Sequence, residues 1–184
     1  MKSDLVRKWF GKDFDKLDPL LQKLHILGGE LSGSVDISYG KGLSGFIGKR
    51  LAHKIQLPKK GHHKIVVVIF FSKNGLHWKR QFNNNNIVES LFTSVANNKT
   101  RFWIEKTGPL TMQLTVDIIN GAWVWRCLNI SLFGITIPLW LIPRLHSSKK
   151  IVNGQYKFQV AFSYPLLGNL VSYKGVLETK FNDL

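Results

Sequence analysis

Three Asn-Gly pairs, each lying between two strand-like runs, constrain the fold of this chain more than any other feature. They are Asn74-Gly75, Asn120-Gly121 and Asn153-Gly154. Both residues of such a pair tolerate the positive φ angles of a type I′ turn, which joins two antiparallel strands. The flanking runs are β-branched and aromatic, as in residues 65–71 before the first pair and residues 76–82 after it. The sequence therefore predicts an antiparallel meander.

The length of the chain predicts a single domain over residues 1–184. Residues 1–29 show two short amphipathic helical patterns, the second with Asp18 as its N-cap. Residues 30–184 form a β-rich body, in which one helical pattern over residues 42–57 follows the first strand. Roughly nine antiparallel strands form a sheet large enough to curl. The predicted fold is mainly β with α: a large antiparallel meander curled into a barrel or half-barrel, with two N-terminal helices and one amphipathic helix after the first strand.

The charge of the chain is strongly asymmetric. It has 26 Lys and Arg against 11 Asp and Glu, a formal net charge of +15. No acidic residue occurs between Asp36 and Glu89, whereas ten Lys or Arg fall within residues 41–80. Such a surface attracts polyanions, either anionic lipid headgroups or nucleic acid. Five cations in or just after the helical pattern are the predicted contacts to an anionic surface: Lys49, Arg50, Lys54, Lys59 and Lys60.

The same helical pattern predicts which helix face is apolar. Helical spacing puts cations on one side and large apolar residues on the other. The predicted apolar face consists of Leu43, Phe46, Ile47, Leu51 and Ile55.

Aromatic residues indicate a possible ligand inside the curled sheet. Trp123 and Trp125 alternate onto one face of their strand, and Trp140 lies in the apolar run of residues 135–142. Most such residues belong to an ordinary core, yet curled sheets of this size commonly enclose an apolar cavity. The predicted ligand-binding residues are Trp78, Arg80, Phe82, Trp123, Trp125 and Trp140.

The hairpins also place charged side chains opposite one another. If residues 83–86 form a loop, Arg80 lies opposite Glu89. The next hairpin brings either Glu105 or Lys106 opposite Glu89, depending on its loop length. With Glu105, two carboxylates and an arginine adjoin and could perform acid–base chemistry; with Lys106, the row is a salt-bridge ladder. Arg80, Glu89 and Glu105 are therefore the candidates for catalysis.

Arg80 is expected to point into the curled sheet. Trp78 and Phe82 share its face of the strand, and large aromatic side chains are more often buried than exposed.

A G-x-G-x-x-G pattern at residues 40–45 follows a strand and opens the helical pattern, as a dinucleotide fingerprint does. The preceding strand alternates with polar residues, however, and the strand after the helix leads straight into a hairpin. We therefore expect the glycines to turn the chain and no dinucleotide to bind. The histidines and the single cysteine, Cys127, show no metal-ligand spacing, so neither a metal nor another cofactor is expected.

The chain shows no targeting or membrane-spanning pattern. Residues 1–10 carry charges where a secretory signal needs an apolar stretch, and the apolar run at residues 127–143 is short and interrupted by polar residues. We expect a cytoplasmic protein with no signal peptide or transmembrane helix, with peripheral membrane contact as an option.

Several motifs in a fixed order resemble an uncharacterised domain family. They are Phe14-Asp15-Lys16-Leu17-Asp18-Pro19-Leu20 with Leu24-His25, Gly40-Lys41-Gly42, Trp78-Lys79-Arg80-Gln81-Phe82, Thr107-Gly108-Pro109-Leu110, residues 137–144, Tyr164-Pro165-Leu166 and Tyr173-Lys174-Gly175. The family is a domain of unknown function, DUF family 4166. Its members occur alone, behind saccharopine-dehydrogenase-like NAD(P)-binding domains, and in some bacterial membrane proteins. The resemblance implies an accessory module with a possible NAD(P)-binding-domain partner, and it names no reaction.

The sequence thus supports three hypotheses. The first is a non-enzymatic binding module for a hydrophobic or amphipathic ligand such as a lipid, with the cations meeting an anionic membrane. The second is an enzyme or enzyme subunit that uses Arg80, Glu89 and Glu105. The third is a basic nucleic-acid-binding domain, which predicts aromatic side chains exposed on the basic face, whereas the ligand hypothesis predicts them inside.

Overall fold

The computed structural model describes residues 4–83, 86–96 and 100–181, and these form three α-helices and one antiparallel sheet of eleven strands. The helices are Asp4–Phe10 (α1), Pro19–Leu27 (α2) and Gly42–Lys54 (α3), with 3-10 helices at Gly11–Lys16 and Leu139–Leu141. The strands are Gly29–Tyr39 (β1), Gly61–Ser72 (β2), Gly75–Phe82 (β3), Asn86–Ala96 (β4), Arg101–Thr107 (β5), Leu110–Ile119 (β6), Ala122–Leu132 (β7), Ile135–Thr136 (β8), Arg144–Val152 (β9), Gln155–Tyr164 (β10) and Gly168–Lys180 (β11).

The sheet closes into a barrel of ten strands. The strands β1 to β7 pair in sequence order, β7 pairs with β9, β9 with β10 and β10 with β11, and β11 pairs with β1 to complete the ring. β8 is a two-residue strand beside the end of β7, outside the ring. The predicted curled meander is confirmed and is fully closed. It has more strands than expected because short strands such as β8 carry too few residues to show a period.

The Asn-Gly turns form two of the three hairpins as expected. Asn120 and Asn153 have φ angles of 50° and 53°, and the glycine after each is also positive, as a type I′ turn requires. In the first hairpin Gly75 already pairs with Ser72, so Lys73 and Asn74 form the loop instead of Asn74 and Gly75. The hairpin is confirmed, but its turn lies one residue earlier than predicted.

The two ends of the barrel differ because the antiparallel strands send their connections alternately to each end. At the capped end, α1, the first 3-10 helix and α2 cover the strand termini. The Trp9 indole donates to the Phe102 carbonyl at 3.3 Å, and the Asp18 amide donates to the Gly121 carbonyl at 3.1 Å. The opposite end, here the rim end, carries α3 and the connections at residues 133–143 and 165–167.

A cluster of aromatic side chains fills the interior at the capped end. Trp9 lies 5.6 Å from Trp103 between ring centroids, and Phe10 lies 5.0 Å from Trp123. All four are buried, together with Phe14 beside Phe10. Burying each large side chain contributes roughly 1.5–3 kcal/mol, so this cluster anchors the N-terminal helices to the barrel.

α2 begins at the predicted cap. The Asp18 carboxylate accepts a hydrogen bond from the Leu20 amide at 2.8 Å, which satisfies one of the free donors of the first turn. The face turned to the barrel contains Leu21, Leu24 and His25, all buried.

α3 packs on the barrel with a different face from the predicted one. Its buried residues are Ser44, Gly48 and Ala52, which recur every four residues and have a small side chain or none. A β-carbon at Gly48 would overlap the Leu170 carbonyl, so the helix lies directly on the backbone of β11. Small residues allow this close approach, and Leu43 and Phe46 of the predicted apolar face are exposed as a result. The helix also ends at Lys54 instead of residue 57.

None of the helices within the described ranges is long and apolar enough to cross a membrane.

Candidate functional site

The barrel interior brings together most of the residues predicted to contact a ligand. Trp78, Arg80 and Phe82 alternate onto the inner face of β3, as expected, and Trp123 and Trp125 lie on the inner face of β7. Arg80 points inward: its Nη2 donates a short hydrogen bond to the hydroxyl of Ser90, which is fully buried. The inward orientation of Arg80 is therefore confirmed.

The predicted pairing of Arg80 with Glu89 is wrong by one residue. Arg80 lies opposite Val88, and Glu89 lies opposite Lys79, because Phe82 pairs with Asn86 and only three residues separate them. A shift of one position moves a side chain to the other face of the sheet. Glu89 accordingly lies on the outer face, where its carboxylate accepts a hydrogen bond from Nδ1 of His77 at 2.8 Å.

Glu105 lies on the inner face and joins Arg80 without Glu89. It pairs with Phe92, and Lys106 pairs with Leu91, so neither residue lies opposite Glu89. Glu105 Oε1 is 3.9 Å from Arg80 Nη2 and accepts a hydrogen bond from the Thr107 hydroxyl at 3.3 Å. The predicted acid–base cluster of two carboxylates is therefore absent, and one partly buried Arg–Glu pair replaces it.

A buried lysine that the sequence interpretation missed lies in the same interior. Lys149, on β9, is only 5% exposed, and its Nζ lies 3.5 Å from the Trp78 ring centroid and 4.8 Å and 5.1 Å from those of Trp123 and Trp125. Burial lowers its pKa well below the usual value, while the Glu105 carboxylate acts to raise that pKa. The faces of the three indole rings also favour a cation at this position.

The sequence did contain a signal for Lys149. The Asn153-Gly154 turn fixes the register of β9 and β10, so that Lys149 lies opposite Phe158. Tyr156 and Phe158 alternate onto the face that an apolar row should bury, and opposite residues share a face. Because Lys149 lies opposite Phe158, this register places the Lys149 side chain on the inner face of the sheet.

His25 completes the inner cluster at the capped end. Its ring is fully buried and stacks on Trp123 with a 4.3 Å centroid separation. Its Nδ1 donates to the Leu21 carbonyl at 2.8 Å, an assignment that leaves Nε2 as an acceptor. Burial, reinforced by Lys149, lowers the pKa of His25 to about 3.

The interior holds more hydrogen-bond donors than acceptors. Among the described residues, five buried nitrogen donors lack a partner, in the indoles of Trp78, Trp103 and Trp123, at Nε of Arg80 and at Nζ of Lys149, as does the Thr179 hydroxyl, which can donate or accept. Nε2 of His25 is a buried acceptor that also lacks one. Buried polar atoms are normally paired, so this surplus of donors suits a ligand that brings acceptor oxygens.

The interior is not packed uniformly along the barrel axis. Tyr156, near the capped end of β10, is buried, whereas Phe158, Val160 and Phe162 on the same inner row are only partly buried. The side chains of Arg80 and Glu105 are 21% and 12% exposed. Both the charged pair and the part of the β10 inner row toward the rim end are therefore partly accessible to solvent.

The rim end exposes an unusual number of large apolar side chains. Trp140, which was predicted to line the ligand site, lies here instead of in the interior; it is 74% exposed. Its carbonyl accepts a hydrogen bond from the Tyr164 hydroxyl at 3.0 Å, which ties the 133–143 connection to β10. The exposed apolar residues at this end are Leu43, Phe46, Ile87, Phe133, Ile135, Leu139, Trp140, Leu141 and Leu166.

The cations predicted to meet an anionic surface also lie at the rim end. Lys49, Arg50, Lys54, Lys59 and Lys60 are all exposed, on α3 and on the connection that follows it. In the part of the chain that the structure describes, none of them has a carboxylate within 4.0 Å.

Most carboxylates of the described residues lie toward the capped end. Asp4, Asp13, Asp15 and Asp18 belong to the N-terminal helical segment or its junctions, and Glu30 begins β1 beside it. At the rim end Asp36 is paired with His62 at 2.8 Å. The rim end is therefore more positive than the capped end.

The glycine pattern at residues 40–45 turns the chain from β1 into α3. A β-carbon at Gly40 would overlap the Asn169 carbonyl, and one at Gly45 would overlap the Gly40 carbonyl. β1 is antiparallel to both of its neighbours, so the crevice of a parallel dinucleotide-binding sheet does not form here. Within residues 4–83, 86–96 and 100–181, no group of three or more His, Cys, Asp or Glu could hold a metal ion.

Comparison with known proteins assigns the chain to a family without assigning an activity. No curated protein matches the chain significantly. A family match covers residues 17–177, which include α2, α3 and all strands of the barrel except the last three residues of β11. The chain therefore belongs to the family described as Domain of unknown function (DUF4166).

Proposed function

We propose that this protein is a non-enzymatic binding module that takes an amphipathic, lipid-like ligand into its barrel and contacts anionic membrane surfaces with its rim end. The observation that carries this proposal is the rim end itself, where exposed apolar side chains and unpaired cations occur together. We propose a cytoplasmic location with reversible attachment to the membrane surface.

The distribution of exposed apolar residues supports the membrane contact. Of the large exposed apolar side chains among the described residues, nine lie at the rim end, and the other five are spread over the wall and the capped end. A cluster of exposed apolar residues on a folded protein commonly marks a protein or membrane interaction site. Cations around such a cluster add attraction to anionic lipid, about 1 kcal/mol for each side chain near the surface.

The chemistry of the rim residues favours lipid over nucleic acid. Phe46 and Trp140 are exposed, as base stacking would need, and Arg50 lies 4.5 Å from the Phe46 ring centroid. Most of the exposed rim residues are aliphatic, however, as in Ile135, Leu141 and Leu166. Aliphatic side chains gain little from bases but insert readily among acyl chains.

The interior supports an amphipathic ligand more than it supports catalysis. Arg80 and Glu105 supply one ion pair, and Glu89, the other carboxylate of the enzyme hypothesis, lies on the outer face. The partly exposed inner row of β10 offers an apolar wall between that pair and the rim. A polar group at the end of an apolar wall is the arrangement that an amphipathic molecule requires.

Flotation with phospholipid vesicles tests the proposal. The full chain is expected to float with vesicles of phosphatidylglycerol and phosphatidylcholine, to float poorly with phosphatidylcholine alone, and to lose binding as salt rises. The triple variant Lys49→Gln, Arg50→Gln and Lys54→Gln should weaken binding by about a hundredfold, since three cations contribute about 3 kcal/mol together. Equal flotation on neutral vesicles, or none on anionic ones, would contradict the proposal.

Matched variants separate the rim end from general hydrophobicity. Trp140→Ser and Leu166→Ser remove exposed apolar side chains at the rim end, whereas Leu27→Ser and Ile119→Ser remove exposed ones at the capped end. The rim variants should lose flotation and the capped-end variants should retain it. If both pairs lose flotation equally, the rim end is not the membrane-binding surface.

A further inference from the structure

The interior holds more basic groups than acidic ones. Among the described inner-face residues, Arg80 and Lys149 are basic groups and Glu105 is the one carboxylate close to them, so two basic groups face one acid. Lys149 Nζ lies against the ring of Trp78, which is two residues from Arg80 on the inner face of β3, and Arg80 is next to Glu105, so the three groups form one cluster. Burying charge without a counter-charge is costly, so this cluster is neutral in two states: with Lys149 as the neutral amine, which its lowered pKa favours, or with Lys149 protonated and one more negative charge beside it.

The geometry of the cluster leaves donors available for an anion. Arg80 Nη2 is bonded to Ser90, its distance to Glu105 is at the outer limit of an ion pair, and its Nε has no acceptor in the described part of the chain. Lys149 Nζ lies against the Trp78 ring and also has no hydrogen-bond acceptor in that part of the chain. A carboxylate accepts hydrogen bonds from both kinds of group, and such charge-assisted bonds are stronger than neutral ones.

We propose that the barrel binds a long-chain carboxylate, with its carboxyl group at Arg80 and Lys149 and its hydrocarbon chain directed toward the rim end. This inference rests on the proposed function, and it names the ligand class and the residues that hold the charged group. One carboxylate supplies the single negative charge that the cluster lacks when Lys149 is protonated. A carboxylate beside Nζ also favours the protonated form of Lys149 over the neutral amine.

The hydrocarbon chain lies against the partly buried inner row. Phe158, Val160 and Phe162 of β10, with Cys127 of β7, continue from the charged cluster toward the rim and are apolar. Burying a methylene group contributes about 0.8 kcal/mol, so a chain along this wall supplies most of the affinity while the carboxyl group fixes the orientation.

Tryptophan fluorescence titration with cis-9-octadecenoate and with its alcohol, cis-9-octadecen-1-ol, tests the inference. Trp78 and Trp125 flank Lys149 and should report an anion that enters the cluster. The carboxylate should bind at least about tenfold more tightly than the alcohol. Arg80→Gln should remove most of that difference, leaving the affinity for the alcohol almost unchanged.

Two further variants guard against loss of fold and against non-specific charge effects. Lys149→Met keeps a long apolar side chain in place and should also reduce carboxylate binding by about tenfold. Lys79→Gln and Lys150→Met, on the outer face beside the two tested positions, should have no effect.

The outcomes distinguish this inference from the proposed function. Equal affinity for carboxylate and alcohol, or unchanged carboxylate binding in both Arg80→Gln and Lys149→Met, overturns the carboxylate site but leaves an amphipathic-ligand barrel standing. Failure of both compounds to bind the wild-type chain overturns the interior ligand site altogether.

Discussion

The two ends of the barrel are built from similar residue types but use them differently. At the capped end, Trp9, Phe10 and Phe14 are buried against the aromatic side chains of the barrel. At the rim end, Phe133 and Trp140 are 79% and 74% exposed. The same apolar residues therefore stabilise the fold at one end and are available to a partner at the other.

The difference indicates that the two ends of the barrel have different roles. Exposed apolar surface adds nothing to the stability of the isolated chain, so its concentration at one end is better explained by a contact. Burial inside the barrel differs between the ends in the same way. The aromatic cluster at the capped end is buried, whereas the inner row of β10 becomes partly accessible to solvent toward the rim end. Stability should thus depend on the capped end and binding on the rim end.

The largest expected contrast comes from one substitution made at both ends. Phe14→Ala removes a side chain that is 1% exposed and should lower the free energy of unfolding by about 3–5 kcal/mol. Phe133→Ala removes an exposed side chain and should change the free energy of unfolding by less than about 0.5 kcal/mol. Urea denaturation of both variants measures the contrast, and similar losses at the two ends would remove the distinction.

A smaller effect is expected from the charged pair between the two ends. Arg80→Ala leaves Glu105 without its nearest counter-charge and should lower the free energy of unfolding by about 2 kcal/mol. Because both side chains keep some exposure, this loss is below the 3–5 kcal/mol typical of a fully buried pair.

A double-mutant cycle identifies the partner of Arg80. Adding Glu105→Ala to Arg80→Ala should recover part of the lost stability, whereas adding Glu89→Ala should not, because Glu89 lies on the outer face. Recovery with Glu89→Ala instead of Glu105→Ala would contradict the strand register.

The capped end should also show a specific pH dependence through His25. The pKa of His25 is lowered to about 3 in the folded state, against about 6.5 in an unfolded chain. Its neutral form therefore stabilises the fold fully above pH 6.5, and this stability is lost as the pH falls toward 3. At pH 5.5 the loss should be about 1.4 kcal/mol.

Replacing His25 tests that assignment. The variant His25→Gln should lose about 1.3 kcal/mol less between pH 7 and pH 5.5 than the wild-type chain does. His53→Gln, at an exposed position on α3, serves as the control and should leave the pH dependence unchanged. An unchanged slope in His25→Gln would mean that other groups cause the acid sensitivity.

The sequence predicted the barrel because its signals are local. Neighbouring residues determine the alternation of a strand and the position of an Asn-Gly turn. They also determine the inward orientation of Arg80, because Trp78 and Phe82 lie on the same face of the strand. The position of Glu89 depended on the length of one loop, and an error of one residue moved it to the other face. Residues 84–85 of that loop lie outside the described residues.

The candidate site was harder to predict than the fold. The packed face of α3 was missed because the pattern of large apolar residues outweighed Ser44, Gly48 and Ala52, although only small residues allow the approach to Leu170. The exposure of Leu43 and Phe46 follows from that packing and has no signature in the sequence alone. Lys149 has no signature of its own, because lysine side chains are almost never fully buried without a partner and a lysine in a strand therefore predicts the outer face.

Hydrogen–deuterium exchange of the full chain, with and without anionic vesicles, tests the division between the two ends most directly. Added phosphatidylglycerol vesicles should protect backbone amides at residues 42–47, 133–143 and 165–168, and should leave Asp4–Phe10 and Pro19–Leu27 unchanged. Phosphatidylcholine vesicles at the same concentration should protect neither end. Protection of the N-terminal helices without protection of the rim segments would contradict the account.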